Sequence, residues 1–489
     1  MQTHPLDAIT RRQWLGATLG AAVLPGGSAL AARGDGRQAV RELRLVAAPV
    51  QHALRGPAHP PITAWAYNGS VPGPLLRARQ GERLRVVLDN RLPQDTTVHW
   101  HGLRVPNAMD GVPHVTQQPV RPGDSFVYEF DLPDAGTYWY HSHFRGSEQL
   151  ERGLHGALVV EEAQPLRVDR EVVWVLDDWR LGPDGGISES FGSAHDMSHA
   201  GRIGNAVTLN GQRAQDLALR PGERLRVRLL NVANARIFSL GFEGHSPQVI
   251  ALDGQPVTPH APPAGRVVLG PGMRCDLLLD AIGKPGERHA VFDDFDPRRA
   301  FDLLHLRYGN EVLRAAPPPW PIALPDNTVP EPDLPQASRH VLRFTGGMMG
   351  SMHRAVLDGE SLPMMSLMRR GKAWAINGVV SSGHGEGHAP AHGHADAPLL
   401  SLDRGRSYVL ALDNDTRWHH PIHLHGHSFR VVRRGGRPTA HREWRDTVLL
   451  GPGEQAEIAF VADNPGDWML HCHVLEHQDG GMMGLFRVR

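Results

Sequence analysis

A weak internal repeat constrains the fold of this chain more than any other feature. In each copy, an Asn-Gly pair is followed by a turn and then by a strand-like segment that closes on an asparagine. The Asn-Gly pairs lie at residues 68–69, 210–211 and 377–378, and the segments close at Asn90, Asn231 and Asn414. Copies separated by roughly 120–170 residues indicate repeated domains, because the units of solenoid proteins are shorter. Alternating apolar residues between Gly and Pro turns favour β-sandwich domains.

The middle copy differs from the other two in the residues after its asparagine. After Asn231 it reads Val-Ala-Asn-Ala-Arg, where the first and third copies carry closely spaced histidines. Its one nearby histidine is His245, which we interpret as a polar loop or core residue. The middle repeat is therefore predicted to keep the scaffold without metal ligands and to space the outer two repeats.

Four His-x-His pairs indicate a metal centre. Side chains two residues apart on a strand point to the same face, so each pair places two imidazoles together. A lone histidine among the 30 of this chain would usually be structural, but chance is a weak explanation for four pairs. The pairs are His99 and His101, His141 and His143, His423 and His425, and His471 and His473.

Cys472 lies between the last two of these histidines, so its side chain faces the opposite side of the strand. His477 and Met482 come after it in the chain, and His420 is left over from the third cluster. A thiolate, imidazoles and a weak axial thioether together describe a blue-copper electron-transfer site. One short strand is therefore predicted to serve two metal centres on its two sides.

These motifs resemble those of multicopper oxidases, the family of laccases, ascorbate oxidase and the bacterial cuprous oxidases. The resemblance runs from about residue 40 to the C-terminus and includes the motifs at 99–102, 141–143, 420–426 and 471–482. It implies an all-β fold of three cupredoxin-like Greek-key β-sandwich domains. We expect them at residues 40–162, 163–315 (without copper ligands) and 335–489, the last with a Met- and His-rich insert at about 346–394.

The resemblance also implies four copper ions and their ligands. The mononuclear type 1 copper would take His420, Cys472, His477 and Met482. In the trinuclear cluster, the type 2 copper would take His99 and His423, one type 3 copper His101, His141 and His473, and the other His143, His425 and His471. Electrons from the substrate would pass through Cys472 one at a time, and four of them would reduce O2 to two waters.

Reduction of O2 consumes protons, so the cluster needs a neighbouring acid. Asp110 matches the acidic residue that the family places there, although Met109-Asp110-Gly111 is also typical of a turn. Gln478 stands where many bacterial members have a glutamate assigned to proton relay, and an amide does not carry protons at ordinary pH. Asp479 is the neighbouring alternative. Asp110 and Cys472 are the predicted catalytic residues.

Two unusual segments precede the first copper motif of the third domain. Thioethers suit Cu(I), and similar cuprous oxidases gather Cu(I) on methionine-rich inserts. A short His-rich tract, here residues 384–394, also suggests metal binding. The alternatives are adaptable core packing or an amphipathic helix for the methionines, and a flexible Gly/Ala/Pro loop for the histidines. The methionines are Met348, Met349, Met352, Met364, Met365 and Met368.

The sequence thus predicts a copper-dependent oxidase that uses O2 and a small reductant, either Cu(I), as in copper tolerance, or a phenol. Laccase activity on phenols is the close alternative, since the residues of the blue-copper site do not determine whether the substrate is Cu(I) or a phenol. A copper-sequestering protein without turnover is the alternative from another class, but storage needs no trinuclear cluster. A copper-free scaffold of this fold would lack the ligands, and nitrite reductases are shorter and lack the complete set.

The N-terminus predicts export. The Arg pair in residues 10–15 precedes an apolar stretch, and Ala29-Leu30-Ala31 offers a cleavage site, so residues 1–31 resemble a twin-arginine signal. No later segment has the length and apolarity of a membrane span, and a net charge of −1 gives no indication of nucleic-acid binding. We expect a periplasmic or secreted monomer. Cys275, the other of the two cysteines, is predicted to be a buried core residue, without a disulfide.

Overall fold

The computed structural model describes residues 40–383 and 398–489. Strands hold 46% of the residues and helices 7%, so the predicted all-β class is confirmed. The expected signal segment at 1–31 and the histidine tract at 384–394 lie outside the described residues. Among the described residues, no helix has the length and apolar character that a membrane crossing requires.

The first sandwich contains two four-stranded sheets. Its elements are β1 (Val40–His52), β2 (Ile62–Tyr67), β3 (Gly73–Arg79), β4 (Arg83–Asn90), β5 (His99–His101), a 3-10 turn (Asn107–Met109), β6 (Ser125–Asp131), β7 (Gly136–His141), α1 (Gly146–Gln149) and β8 (His155–Glu161). The sheet orders are β2-β1-β4-β6 and β3-β8-β7-β5. On β4, Leu84, Val86 and Leu88 are fully buried while alternate residues are half-buried, as the sequence alternation predicts.

The second sandwich packs a six-stranded sheet on a five-stranded one. Its elements are β9 (Arg170–Trp179), α2 (Ala194–Ser198), β10 (Ala206–Leu209), β11 (Leu217–Leu219), β12 (Arg224–Asn231), β13 (Phe238–Phe242), β14 (Gln248–Leu252), β15 (Gln255–His260), a 3-10 turn (Pro263–Gly265), β16 (Val267–Leu269), β17 (Arg274–Asp280), β18 (Arg288–Asp293), a 3-10 turn (Pro297–Arg299) and β19 (Phe301–Tyr308). The orders are β10-β9-β12-β17-β14-β15 and β11-β19-β18-β13-β16. Cys275 lies on β17, buried and free, as a core residue.

The third sandwich repeats this plan with one added hairpin. Its elements are β20 (Ser338–Gly346), β21 (Arg354–Leu357), β22 (Glu360–Pro363), α3 (Met364–Arg369), β23 (Trp374–Ile376), β24 (Leu400–Leu402), β25 (Ser407–Asp415), β26 (His420–Leu424), β27 (Phe429–Arg434), β28 (Arg437–Pro438), β29 (Trp444–Arg445), β30 (Thr447–Leu450), β31 (Gln455–Val461), β32 (Gly466–Cys472), α4 (Leu475–Asp479) and β33 (Met483–Val488). The orders are β23-β20-β25-β31-β27-β28, with β29 also on β27, and β24-β33-β32-β26-β30; β21 pairs with β22.

The segment expected to be an insert contains part of the core. Strand β23 pairs with β20, and its Trp374 is fully buried in the apolar core of the third sandwich. The hairpin β21-β22 and helix α3 pack beside it around the buried Leu367. A deletion of the whole segment would therefore remove core structure. The residue boundaries of the three domains stay predictions.

Candidate metal centres

Within each outer sandwich, strand pairing places the first histidine of one His-x-His pair opposite the first histidine of the other. In the first sandwich β5 pairs with β7, so that His99 lies opposite His141. In the third sandwich β26 pairs with β32, so that His423 lies opposite His471. Cys472 lies opposite Ile422 in the same ladder, and its side chain joins the core of that sandwich. The two faces of β32 therefore serve different environments, as the alternation predicts.

The second histidines of three pairs lie beyond the strands. Strand β7 ends at His141, β26 at Leu424 and β32 at Cys472. The segments directly after these strands thus place the rings of His143, His425 and His473. The pair at 99 and 101 is the one that lies wholly within a strand, β5.

Eight imidazoles from the first and third sandwiches meet in one buried cluster. His99 stacks on His425 with ring centroids 4.0 Å apart, and His101 stacks on His423 at 3.8 Å. Three sets of three have ring nitrogens within 4.8 Å of one another, namely His99, His101 and His141, then His99, His423 and His425, and then His143, His425 and His471. His473 completes the cluster, with its ring centroid 5.0 Å from that of His101.

Several rings of the cluster are held by one nitrogen while the other has no partner. His99 Nδ1 lies 2.8 Å from the Asp110 carbonyl oxygen, and His141 Nδ1 lies 2.9 Å from that of Ser142. Buried polar atoms normally have hydrogen-bond partners, so convergent lone pairs without one fit metal ions. The partnerless buried nitrogens are Nε2 of His99, His141, His143, His423 and His473, and Nδ1 of His101 and His473.

Electrostatics favour the neutral form of five imidazoles of this cluster. Burial, and after it the neighbouring imidazoles, hold the pKa of several of these histidines well below the ordinary value. A neutral imidazole has a lone pair available for a metal, so the ring set suits ligation without any prior loss of protons. The histidines concerned are His101, His141, His143, His425 and His471.

Asp110 lies where the sequence analysis expects an acid. It is fully buried at the end of the 3-10 turn Asn107–Met109. Its Oδ2 accepts from His425 Nδ1 at 2.9 Å, and its backbone oxygen accepts from His99 Nδ1. Its Oδ1 has no hydrogen-bond partner. The residue is both a turn residue and a contact of two cluster histidines, one from each outer sandwich.

Sequence reasoning missed a second carboxylate at the cluster. Asp446 is buried, with Oδ1 3.1 Å from His101 Nε2 and its backbone oxygen 2.9 Å from His423 Nδ1. It forms a two-point ion pair with Arg274 of the second sandwich. No histidine spacing marks Asp446, because its partners come from three distant segments of the chain.

The second centre contains His420, Cys472 and His477, whose ligand atoms lie within 4.8 Å of one another. Cys472 Sγ lies 3.5 Å from His420 Nδ1 and 3.6 Å from His477 Nδ1. The other ring nitrogens are fixed, His420 Nε2 at 2.9 Å from the Thr416 hydroxyl and His477 Nε2 at 2.7 Å from the His199 carbonyl oxygen. Both Nδ1 atoms are therefore directed at the thiol.

Met482 and the cysteine share one buried environment at this centre. Both are fully buried in the core of the third sandwich, and Cys472 N donates to the Met482 carbonyl oxygen at 3.0 Å. Burial raises the pKa of the Cys472 thiol, so its thiolate form requires an adjacent cation. A soft thiolate with imidazoles in a dry pocket suits copper.

The second sandwich contributes none of the predicted ligands. His245 is engaged elsewhere, since its Nδ1 donates to the Glu243 carbonyl oxygen at 2.7 Å and its Nε2 lies 2.5 Å from the Tyr308 hydroxyl. This agrees with its interpretation as a polar structural residue.

Comparison with known proteins gives matches along most of the chain. Models of the multicopper oxidase family match residues 51–165, 170–303 and 364–489. The multicopper oxidase MmcO of Mycobacterium tuberculosis is 30% identical over 473 residues, which cover 90% of this chain and 85% of that protein. Laccase-1 of Botryotinia fuckeliana is 28% identical, with 85% and 77% covered. The crystal structure of a multi-copper oxidase from Pseudomonas thermotolerans superposes with a TM-score of 0.80 and 35% identity, covering 92% of this chain and 100% of that one.

Proposed function

The chain belongs to the multicopper oxidase family, and on that premise we propose that it couples four one-electron oxidations of a small reductant to the reduction of O2 to two waters. The observation that carries the proposal is the pair of buried donor sets, one of eight imidazoles and one around a thiol, joined by strand β32. Copper bound at the two centres supplies the one-electron redox chemistry. The remaining roles belong to side chains of this chain.

We assign the ligands as the family resemblance implies. His420, Cys472, His477 and Met482 would hold one copper ion at the thiol centre. The eight cluster histidines would hold three, with His99 and His423 on the type 2 ion and the other six shared by the type 3 pair. The compact set formed by His143, His425 and His471 supports one half of that pair.

Strand β32 provides the shortest covalent link between the two ligand sets. Cys472 is bonded directly to His471 and His473, and His471 Nδ1 donates to the Cys472 carbonyl oxygen at 3.0 Å. The three side chains are buried, which excludes water from the link. We propose that Cys472 passes electrons to the histidine cluster through this short path.

Asp110 is the proposed proton donor. Its Oδ2 is engaged by His425, whereas its Oδ1 makes no hydrogen bond and lies 3.2 Å from His99 Nδ1, so we propose Oδ1 as the atom that passes a proton to the cluster. A cavity of about 210 Å³ reaches the cluster at His143 and is lined by Gln478 and Asp479. We propose this cavity as the route by which protons arrive from solvent.

Cu(I) is the proposed principal reductant. Met348, Met349 and Met365 are exposed, and thioethers are suitable ligands for Cu(I). The backbone N–H of Met348 donates to the Ser198 carbonyl oxygen at 2.8 Å, and the neighbouring His199 carbonyl accepts from His477 Nε2. The backbone of the exposed Met348 is thus linked to the thiol centre by two short contacts.

Phenol oxidation is the second candidate, favoured by a different observation. A cavity of about 340 Å³ lies between the second and third sandwiches and is lined by Phe295, Trp418, His419 and Val474. Its aromatic walls suit a planar ring, and His419 is the residue before His420. This cavity would bring a phenol beside the thiol centre.

Oxygen uptake by the copper-loaded protein tests both candidates, with Cu(I) and with a dimethoxyphenol as reductants. Replacing the exposed Met348, Met349 and Met365 with leucine should slow Cu(I) turnover and leave phenol turnover unchanged. The matched control replaces Met364 and Met368, which pack against the core, and should affect neither. Phe295→Ala should weaken phenol turnover alone.

Three results would contradict these proposals. Unchanged Cu(I) turnover in the triple variant would reject the methionine site, and fast phenol turnover beside slow Cu(I) turnover would favour a laccase. No oxygen uptake with either reductant, despite bound copper, would favour copper sequestration.

A further inference from the structure

The second sandwich, although it carries no predicted ligand, binds a carboxylate neighbour of the histidine cluster through one buried arginine. We propose that Arg274 is a positioning residue of the cluster, acting through Asp446 to orient His101 and His423. The inference rests on the proposed role of the cluster as a copper site. It gives the middle repeat a part in the active centre beyond spacing its neighbours.

The ion pair between Arg274 and Asp446 has favourable geometry. Arg274 Nη1 donates to Asp446 Oδ1 at 2.7 Å, and Nη2 donates to Oδ2 at 2.5 Å. Neither side chain is more than 1% exposed. Two parallel hydrogen bonds from the planar guanidinium fix the plane of the carboxylate as well as its position.

The guanidinium is itself fixed by all three sandwiches. Arg274 Nε donates to the Thr137 carbonyl oxygen of the first sandwich at 3.2 Å, and Nη1 also donates to that of Gly272 at 3.1 Å. Its backbone N–H donates to Asp253 Oδ1 at 2.8 Å, and Asp253 Oδ2 accepts from the backbone N–H of Thr447 in the third sandwich. Arg274 therefore has little freedom to move relative to either outer sandwich.

Asp446 in turn fixes the orientation of the His101 ring. Its Oδ1 lies 3.1 Å from His101 Nε2, and the Thr447 hydroxyl lies 3.2 Å from the same nitrogen. The carboxylate favours a proton on Nε2, which leaves the lone pair on Nδ1. His101 Nδ1 is buried without a partner and is thereby available to a metal.

This orientation is the reverse of that of five other cluster rings. Those rings are held through Nδ1, and for three of them Nε2 is the partnerless nitrogen. His101 is thus oriented through Nε2 by a side-chain carboxylate, whereas backbone carbonyl oxygens hold four of these five rings through Nδ1. The five held through Nδ1 are His99, His141, His423, His425 and His471.

Asp446 also supports a ring from the third sandwich, His423. His423 Nδ1 lies 2.9 Å from the Asp446 backbone oxygen and 3.1 Å from the Thr447 hydroxyl. His101 and His423 come from different sandwiches and stack at 3.8 Å. Arg274 therefore supports, through one carboxylate residue, one of the contacts between the first and third sandwiches.

Two glycines show how closely the residues around Arg274 pack against the cluster. A Cβ at Gly102, directly after His101, would overlap both Arg274 Nη2 and Asp446 Oδ2. A Cβ at Gly272 would lie 2.9 Å from His473 Cδ2 and 3.0 Å from His101 Cε1. Both have φ above +80°, a region that glycine adopts without strain. The second sandwich thus closes one side of the cluster.

The test compares Arg274→Gln with Arg226→Gln after copper loading. Arg226 is a matched control, because it is equally buried and pairs with Glu162 and Asp276 at 2.7 Å, but it contacts no cluster histidine in the described part of the chain. Copper per chain is measured after dialysis against a chelator. The visible absorption of the copper-thiolate centre and electron paramagnetic resonance separate the two centres.

We expect Arg274→Gln to keep the copper-thiolate absorption and to hold the cluster copper up to about 10–100-fold less tightly, the cost of losing a partner of a metal ligand, because Asp446 would no longer be held against His101. Arg226→Gln should retain copper at both centres. Full retention of cluster copper by Arg274→Gln, or an equal loss in the Arg226 variant, would overturn the proposal. Failure of the wild-type chain to bind copper at the cluster would instead reject the proposed function.

A second variant covers the case in which Arg274→Gln does not fold. Arg274→Lys keeps the positive charge beside Asp446 and loses the two-point geometry. Weaker retention of cluster copper by soluble Arg274→Lys, with the thiolate absorption unchanged, supports positioning by the guanidinium. Wild-type retention in this variant would show that charge alone is sufficient and would overturn the proposal.

Discussion

Removal of copper should make the protein sensitive to mild acid, because the folded chain keeps its ligand histidines neutral. Burial lowers the pKa of His473 and of His477 to about 3, from an ordinary value of 6.5. A histidine whose pKa is lowered by folding stabilises the folded state above its unfolded pKa. That stability is lost as the pH falls from about 6.5 towards about 3.

The size of the effect can be calculated from the two pKa values. At about pH 5, each of these histidines binds a proton in the unfolded chain and not in the folded one, which costs about 2 kcal/mol. Together they remove about 4 kcal/mol, against a typical folding stability of about 5–15 kcal/mol. Folding also lowers the pKa of seven more predicted ligand histidines, so these add to the loss of stability in acid. They are His101, His141, His143, His420, His423, His425 and His471.

Urea unfolding followed by tryptophan fluorescence measures this loss. Trp139 lies 5.4 Å from His473 and Trp374 lies 4.3 Å from His477, ring to ring, so both report on the ligand regions. The copper-free protein should lose most of its stability between about pH 6.5 and pH 5. The copper-loaded protein should lose much less, because bound metal competes with protons for the same nitrogens.

Two variants test whether the buried histidines cause the loss of stability in mild acid. His477→Gln should reduce the loss over this pH range by about 2 kcal/mol, since one titrating group is removed. His59→Gln, at an exposed position, should leave the loss unchanged. A copper-free protein with stability independent of pH over this range, or a copper-loaded protein that loses as much, would show that the buried histidines do not govern acid stability.

Three further predictions concern single side chains. Asp110→Asn should retain copper and slow oxygen reduction by about 10²–10⁴-fold, as loss of a general acid does; oxygen uptake and metal analysis check this, and loss of copper would contradict it. Gln478→Glu adds a carboxylate to the cavity that reaches His143, so kcat should rise and its pH profile should change; an unchanged profile would exclude this route. Cys275→Ala should cost about 1 kcal/mol of stability and leave the visible copper absorption unaltered, measured by urea midpoint and absorption.

The fold and the ligand strands can be predicted because their signals are local. The alternation of β4 and the turns around it mark a sandwich strand, and the His-Cys-His run fixes which side chains share a face of β32. The family resemblance, which the comparisons confirm, adds the arrangement of the three domains. These signals depend only on residues a few positions apart.

The features that the sequence does not reveal depend on contacts between distant segments. Arg274 is recognisable only as part of a buried strand, and no local pattern marks Asp446, because their importance arises where three sandwiches meet. Trp374 falls within the expected insert, yet it packs against His420 and His477. The spacing of residues in the sequence identifies candidate ligands. The side chains that position those ligands, such as Asp446 and Trp374, become neighbours only in the folded chain.

The middle sandwich illustrates why a repeat without ligands is retained. A cluster of neutral imidazoles cannot attract its two halves to each other by charge, so other contacts must hold the first and third sandwiches in register. Asp276 of the second sandwich accepts from the Thr137 hydroxyl of the first at 2.6 Å and pairs with Arg226. Arg274, two residues earlier on the same strand, reaches Asp446 of the third. Strand β17 thus contacts both outer sandwiches within three residues, and the predicted copper ligands need no attraction of their own to meet.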